Sequence, residues 1–361
     1  MEWCNRLVFY ASASGYGHAT RLTALAKYML TFGMADEATI CSGERQFSFL
    51  QTECKGTPIK LRCIPEEPGL PLKPNYYPDI DRLNSKLEEW ELGWDKWTDI
   101  ERGFLSDYKP SMVISDSSPQ PLLTAKALNI PTVLISNATY YDTYEPLLDN
   151  IKSLRALKMA YEAADHRIVL RGGVSAEGRQ VGFFSRPINT SKVLAIRERY
   201  GKGRTLIIST GRSFHFRIPG DLTYLADNIV TTPGTEIRAR NELKIAPDCT
   251  GTQNYIAASD AVVTKAGWST VAEALNNNRP LVVLYRQNVT SDLALSRYLF
   301  RKRLAAVVPF EHTSVSTLRS AINRATELMR CDNPEIRTND LANAARSVSG
   351  ILRSKLSLQT A

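Results

Sequence analysis

Short apolar runs of strand length alternate with longer segments of helical spacing along nearly the whole chain, and no other feature limits the fold as strongly. Apolar runs lie near residues 7–11, 38–42, 59–64, 111–115, 132–136 and 167–170. A second series occupies 206–209, 228–231, 261–264, 281–285 and 305–308. Between the first two runs, Leu22, Leu25, Ala26, Met29 and Leu30 recur at helical spacing, and Gly33 stands where a helix would close. Repetition of strand, helix and strand is the pattern of βαβ units and of parallel sheets covered on both faces. With 361 residues the chain exceeds the size at which one hydrophobic core usually keeps growing. The expected fold class is therefore α/β, with two doubly wound, Rossmann-like domains facing each other across a cleft. Residues 1–187 form the first domain in this reading and 188–335 the second, while 336–361 form a helix that packs back on the first. The stretch 181–187 reads as a short strand leading into the linker.

Composition removes several alternatives. Hydrophobic residues make up 43% and charged residues 23%, as in a globular enzyme, and no apolar run approaches membrane-spanning length. Met1 leads directly to the run Leu7-Val8-Phe9-Tyr10 without the layout of a signal peptide, so a cytoplasmic location is expected. Six cysteines, at 4, 41, 54, 63, 249 and 331, form neither a CxxC pair nor a ligand-like cluster, so they are expected to be reduced, mostly buried and without metal. The net charge of +8 favours anionic partners: a nucleoside diphosphate, an acidic membrane surface or nucleic acid. A peripheral membrane contact stays open. Nucleic acid is disfavoured, because no Lys/Arg-rich run with interleaved aromatics occurs.

Open parallel sheets bind ligands outside the carboxyl ends of their strands, so the loops that follow strands carry the functional candidates. In Ser14-Gly15-Tyr16-Gly17-His18-Ala19-Thr20-Arg21, Gly15 and Gly17 permit close backbone approach, and His18 stands at a strand end. Val113-Ile114-Ser115-Asp116 ends an apolar run in an aspartate. Asp116 is either a helix N-cap or the partner that holds one imidazole nitrogen of His18 and leaves the other free as a base. In Thr264-Lys265-Ala266-Gly267-Trp268-Ser269-Thr270, a glycine-led helix start follows a buried run, a geometry that suits phosphate. Glu273 lies a turn further on, within reach of a sugar hydroxyl beside that phosphate. Ser209-Thr210-Gly211-Arg212-Ser213 adds a second glycine turn, whose Arg212 either pairs with phosphate oxygens or lies solvated.

Two other signals have simpler explanations. Asp79-Ile80-Asp81 spells a metal-binding carboxylate pair but stands before a helix, where N-capping accounts for it. Leu87, Trp90, Trp94, Trp97 and Phe104 repeat along one helix expected from about 83 to 107, and read as packing. Tyr140, Tyr141 and Tyr144, with the loop 65–82, mark where acceptor contacts are expected, or else packing.

These segments resemble the inverting nucleotide-sugar glycosyltransferases of the GT-B fold, a group that includes the plant-type UDP-dependent enzymes and the bacterial lipid II glucosaminyltransferase. The stretch 264–270 followed by Glu273 is similar to the plant-type Thr-His-Cys-Gly-Trp-Asn-Ser signature and its glutamate. The resemblance implies that Gly267, Ser269 and Thr270 bind a diphosphate, that Glu273 binds ribose, that His18 is the catalytic base and that Asp116 orients it. Lys265 replaces a family histidine that touches the diphosphate. Ile245-Ala246-Pro247-Asp248 stands where the family places Trp-x-Pro-Gln against uracil. The acidic-Gln pair for the donor sugar would fall at Val289 and Thr290, and Gln287 is the nearest replacement.

The implied activity is metal-independent, inverting transfer of a sugar from a nucleoside diphosphate, UDP first, to an acceptor hydroxyl, with the donor as co-substrate and no cofactor. A sugar-nucleotide 2-epimerase of the same fold and a non-catalytic nucleotide-sugar-binding subunit are the alternatives.

Overall fold

The computed structural model describes residues 4–149, 151–212, 215–330 and 339–359. The chain divides into two compact units, residues 1–182 with 340–361, and residues 183–339.

Unit 1 opens with β1 (Arg6–Ala11), α1 (Tyr16–Thr31), β2 (Glu37–Ser42), α2 (Glu44–Glu53) and β3 (Ile59–Cys63). It continues through α3 (Ile80–Leu92), α4 (Trp94–Tyr108), β4 (Met112–Asp116), α5 (Gln120–Ala127), β5 (Thr132–Ser136), α6 (Tyr140–Tyr144), α7 (Ile151–Glu162), β6 (His166–Leu170) and β7 (Arg179–Val181). The seven strands form one parallel sheet in the order β3-β2-β1-β4-β5-β6-β7. Its central strands are continuous apolar runs because both faces are covered: Leu7 to Ala11 and Met112 to Ile114 have no exposed surface. One buried cluster joins Leu83, Leu87, Leu122 and Leu134 to Tyr140, Tyr144 and Tyr161. Another joins Val8, Tyr10 and Val113 to Trp97 and Leu105.

Unit 2 contains α8 (Thr190–Tyr200), β8 (Thr205–Ser209), β9 (Phe216–Asp221), β10 (Asn228–Thr231), β11 (Thr235–Arg238), β12 (Glu242–Lys244) and α9 (Thr252–Ala258). There follow β13 (Ala261–Lys265), α10 (Trp268–Asn276), β14 (Leu281–Tyr285), α11 (Thr290–Arg301), β15 (Ala306–Pro309) and α12 (Val315–Arg330). Six strands form a parallel sheet in the order β12-β10-β8-β13-β14-β15, and β9 pairs with β11 in a separate parallel ribbon. The last helix, α13 (Leu341–Gln359), belongs to unit 1 and packs against α1 and β7.

Two parallel, doubly wound α/β sheets are thus present, as the alternation of runs predicts. Several local expectations need correction. The helix expected over 83–107 is two helices meeting at Gly93, which ends α3 and caps α4. Residues 182–187 form no strand; β7 ends at Val181. The ribbon strand β9 was not expected, since Pro219-Gly220 interrupts its apolar pattern; proline is tolerated there because an edge strand need not donate on its outer side. Cys41 and Cys54 are buried, whereas Cys4 and Cys63 are exposed; all are free, and Cys331 lies outside the described residues. Asp79 caps α3 by accepting the Arg82 N–H at 3.3 Å. Trp97 is core, while Trp94 packs edge-on against Trp90 at 4.8 Å.

Candidate active site

In unit 1 the strand order reverses between β1 and β4, and in unit 2 between β8 and β13. At such a switch point the connections leave in opposite directions and open a crevice at the strand ends. His18 and Asp116 stand at the first of these points, and Gly211 and Lys265 at the second.

Ala11, the last residue of β1, is in register with Asp116, the last of β4. The chain turns sharply after Asp116: Ser117 adopts φ +64°, a left-handed conformation that strains a residue with a side chain. The turn is fixed by Ser117 Oγ donating to Ala138 O at 3.0 Å and by Tyr161 OH donating to Ser117 O at 2.7 Å. His18 lies in the first turn of α1, so its ring faces the end of β4. Its Nδ1 stands 2.7 Å from Asp116 Oδ1; the carboxylate is fully buried and the ring 18% exposed. Nδ1 must carry the proton, because a lone pair at that distance would repel the carboxylate oxygen. Nε2 is then an acceptor, with Ser14 Oγ at 3.2 Å.

Arg21, one turn along α1, grips the same carboxylate. Its Nε donates to Oδ2 at 2.5 Å and its Nη2 to Oδ1 at 2.6 Å, while Nη1 donates to Asn137 Oδ1 at 3.0 Å. Burial alone would raise the Asp116 carboxyl, but Arg21 and His18 outweigh it and hold it at about 2. Asp116 is therefore ionised at any working pH. Glu67, from the segment after β3, is buried and accepts the Ala13 N–H at 3.0 Å; burial pushes its carboxyl up.

The remaining unit 1 candidates divide. Gly15 is the N-cap of α1, with an extended φ of −178°, and Gly17 lies in the first turn; neither has the left-handed φ that would require glycine. Tyr140 is core, yet its hydroxyl meets Ser12 Oγ at 2.6 Å, and Ser12 Oγ reaches Ser14 Oγ at 3.2 Å. Its contribution is thus a hydroxyl at the base of the His18 loop. Tyr141 lines a cavity of about 250 Å³ with Asp142, Lys158, Glu162 and Arg167.

In unit 2, Thr264 pairs in register with Ser209, and its Oγ1 donates to Ser209 O at 2.7 Å, locking β13 to β8. Gly211 turns the chain away at φ +85°, where a Cβ would be strained and would stand 3.5 Å from Lys265 Cε. Gly267 caps α10; a Cβ there would stand 3.7 Å from the same Cε. The Lys265 stem therefore runs close to both glycines, at the start of α10. Burial, with help from Arg286, lowers the Lys265 ammonium to about 8, against the support of Asp292. Arg286 follows β14 and is clasped by Asp292, with Nε to Oδ2 and Nη2 to Oδ1 both at 2.8 Å. Trp268 is an anchor that stacks on Phe183 at 5.3 Å and meets Phe184 edge-on at 5.3 Å.

Two donor candidates are engaged in ways the sequence did not indicate. Arg212 donates through Nη1 to Pro247 O at 2.6 Å and through Nη2 to Cys249 O, so its terminal nitrogens bind the 247–249 loop. Ser213 lies outside the described residues. Glu273 is buried, and its Oε1 accepts from Arg186 Nε at 3.1 Å and Nη2 at 2.9 Å. Arg186 also donates to Thr250 O at 2.6 Å and Thr252 Oγ1 at 3.2 Å, tying Glu273 to the loop that Arg212 holds. Gln287 is exposed, while the neighbouring Asn288 Oδ1 is buried without a hydrogen bond. Sequence reading assigned no role to Arg21, Arg186 or Arg286. Only Arg21 carried a usable signal, three residues after His18 on the same helix face.

Comparison with known proteins places this geometry in a family context. Residues 238–344 match the model of the glycosyltransferase family 28 C-terminal domain. No curated protein matches the sequence. Among solved structures, the spinosyn forosaminyltransferase SpnP superposes with a TM-score of 0.63 at 13% identity, covering 96% of this chain and 99% of that one. The calicheamicin glycosyltransferase CalG4 gives a TM-score of 0.60 at 15% identity, covering 98% and 99%. SsfS6, a glycosyltransferase of Streptomyces sp. SF2575, gives 0.58 at 15% identity, covering 95% and 99%. These likenesses establish the architecture, and the family match covers most of unit 2. The chain has the GT-B fold of these structures, and its residues 238–344 are similar to a glycosyltransferase family 28 C-terminal domain.

Proposed function

We propose that the protein moves a sugar from a nucleoside diphosphate, UDP first among the candidates, to a hydroxyl of its acceptor, with inversion and without a metal. The observation that carries this reading is the 2.7 Å contact between His18 Nδ1 and a buried, ionised Asp116, which leaves Nε2 as a base at a strand end. In this mechanism Nε2 takes the acceptor O–H proton as the oxygen attacks the anomeric carbon. The bond from that carbon to the diphosphate breaks on the opposite face, and its electron pair leaves with the phosphate. Asp116 stabilises the imidazolium that results. Lys265 and the first-turn N–H groups of α10 meet the charge growing on the leaving diphosphate, the part a metal plays elsewhere.

Glu273 faces the ribose with the carboxylate that Arg186 steadies. Arg212 acts on the donor chiefly by shaping the 247–249 loop against the base, and Gln287 with Asn288 meets the donor sugar. The acceptor is held by unit 1, where Gly15 and Gly17 belong to the His18 loop, Tyr140 adds its hydroxyl beneath that loop and Tyr141 lines the cavity. Among the described residues no helix is long and apolar enough to cross a membrane. The reading takes the setting of the protein to be cytoplasmic.

A thermal-shift screen against UDP, dTDP and GDP and their sugars tests the donor assignment, because a ligand that binds the native state raises the melting temperature by mass action. Stabilisation by one nucleotide series, strongest for UDP, is expected. No stabilisation by any of them overturns the reading.

A further inference from the structure

We propose that the edge of the unit 2 sheet where its strands begin, opposite Gly211 and Lys265, is a docking surface for a membrane that displays anionic lipid headgroups, with Phe300 as the side chain that enters the headgroup layer. Its use does not depend on the sugar-transfer reading. Residues 183–339 hold 22 Lys and Arg against 13 Asp and Glu, whereas the rest of the chain holds 23 against 24. The whole positive excess therefore belongs to unit 2. Little of it serves the carboxyl ends of the strands, where Lys265 stands and where Arg286 is already matched by Asp292.

In a parallel sheet all strands start on one edge, so the segments that lead into them share that edge. Residues 197–204, from the last turn of α8 to β8, carry Arg197, Arg199, Lys202 and Arg204 against Glu198. Residues 297–303, from the end of α11 toward β15, carry Arg297, Arg301, Lys302 and Arg303 and no acid. All eight cations are exposed, and Arg297, Arg301 and Arg303 enter no ion pair among the described residues. Arg279 links the two stretches. Val282 is level with Ala306, so Arg279 and Arg303 stand three residues before paired positions of neighbouring strands. The Arg279 Nη1 donates to Ser259 O at 3.1 Å, and its buried Nε has no hydrogen-bond partner. Burial and then Arg197 lower its guanidinium, against the support of Asp260. Cations crowded in this way gain from an anion brought from outside the chain.

Helix C-termini attract cations, which accounts for Arg197, Arg199 and Arg301 in the last turns of α8 and α11. It does not account for Lys202, Arg204 and Arg303, which lie beyond those helices, nor for the apolar side chains exposed among the cations. Phe300 is 67% exposed, between Arg301 and, one turn earlier, Arg297; Leu194 is 60% exposed, one turn before Arg197 on α8. Apolar side chains ringed by cations suit a partner that is anionic at its face and apolar within. Contrary to the expectation from sequence, 297–303 does interleave cations with aromatics, which makes a nucleic-acid strand the competing partner. The helix separates those aromatics. Tyr298 turns toward Phe183, with ring centroids 6.1 Å apart, and Leu299 is fully buried. Phe300 is left as a single outward face in this run, whereas stacking successive bases takes successive aromatic faces.

The test is flotation of the full-length protein with vesicles of phosphatidylcholine alone and of phosphatidylcholine with about 30% phosphatidylglycerol. Wild type should float with the anionic vesicles only and should be released as salt rises. Each Lys or Arg beside an anionic surface changes partitioning about fivefold, so Arg297→Gln, Arg301→Gln and Arg303→Gln together should weaken it about a hundredfold. Phe300→Ser should weaken it about tenfold and leave the salt dependence in place. Should the triple variant not fold, the three single variants give the fivefold steps one at a time. No flotation of the wild type, equal flotation with neutral vesicles, or flotation unchanged in the charge variants overturns the proposal. So does binding of a single-stranded oligonucleotide in a gel shift without flotation, which would give this edge to nucleic acid.

Discussion

Replacing Lys265 with methionine should stabilise the free protein and, at the same time, weaken its response to a nucleoside diphosphate. The ammonium is brought from 10.5 down to about 8, chiefly by burial and then by Arg286. At 1.36 kcal/mol per pH unit, that fall corresponds to about 3 kcal/mol against the native state near neutral pH. Lys265 keeps part of its surface in solvent, and screening reduces the figure to roughly 2 kcal/mol. Methionine retains the apolar stem between Gly211 and Gly267. A rise of about 4–8 °C is expected for a domain of this size. The sign is fixed by linkage. A cation whose folded pKa is lowered opposes folding below that pKa, and the opposition fades as pH rises from about 8 toward 10.5. The gap between variant and wild type should therefore be widest at pH 7 and shrink by pH 10. Melts at pH 7, 8.5 and 10, each with and without UDP, give the answer. A variant less stable than wild type at pH 7, with an intact UDP shift, refutes both the desolvation of Lys265 and its phosphate role.

Gly211→Ala places a side chain at φ +85° and should lower stability by about 1–2 kcal/mol; a shift of this strained turn beside Lys265 should also weaken UDP binding, which calorimetry measures. Glu273→Gln leaves the buried Arg186 without its counter-charge and should cost about 3–5 kcal/mol, read as a lower denaturant midpoint; an unchanged midpoint means the pair is solvated. A UDP-sugar incubated with the protein and no acceptor should keep its configuration at C2 by NMR; conversion to the C2 epimer would replace the transferase reading with the epimerase one.

Architecture was legible in the sequence because parallel strands buried on both faces leave continuous apolar runs, and those runs alternated with helical segments. Elements that escaped lack that signal. β9 is interrupted by Pro219-Gly220, and β12 spans only Glu242–Lys244. The α3/α4 break at Gly93 was hidden because the apolar spacing continues across it. The His18 and Asp116 contact was inferable from two strand ends, since adjacent strands in an open sheet bring those ends together. The roles of Arg186 and Arg286 were not, because each depends on a carboxylate brought near by the fold. Arg186 meets Glu273, 87 positions away, and Arg286 meets Asp292 across a turn. Arg212 illustrates the same limit in reverse: its local context suggested phosphate, but the carbonyls of Pro247 and Cys249, folded back onto the turn, hold its terminal nitrogens.

The most direct measurement compares wild type with His18→Ala, using the donor selected by the nucleotide screen. Two quantities are read on each protein: the rise in melting temperature caused by that donor, and the rate at which a library of hydroxyl acceptors gains the mass of one sugar. His18 belongs to unit 1 and the donor cradle to unit 2, so the variant should show the full donor-induced rise in melting temperature. Its transfer rate should fall by about a hundredfold to ten-thousandfold, the usual contribution of a general base. An unchanged rate of transfer in His18→Ala would contradict the account at its centre.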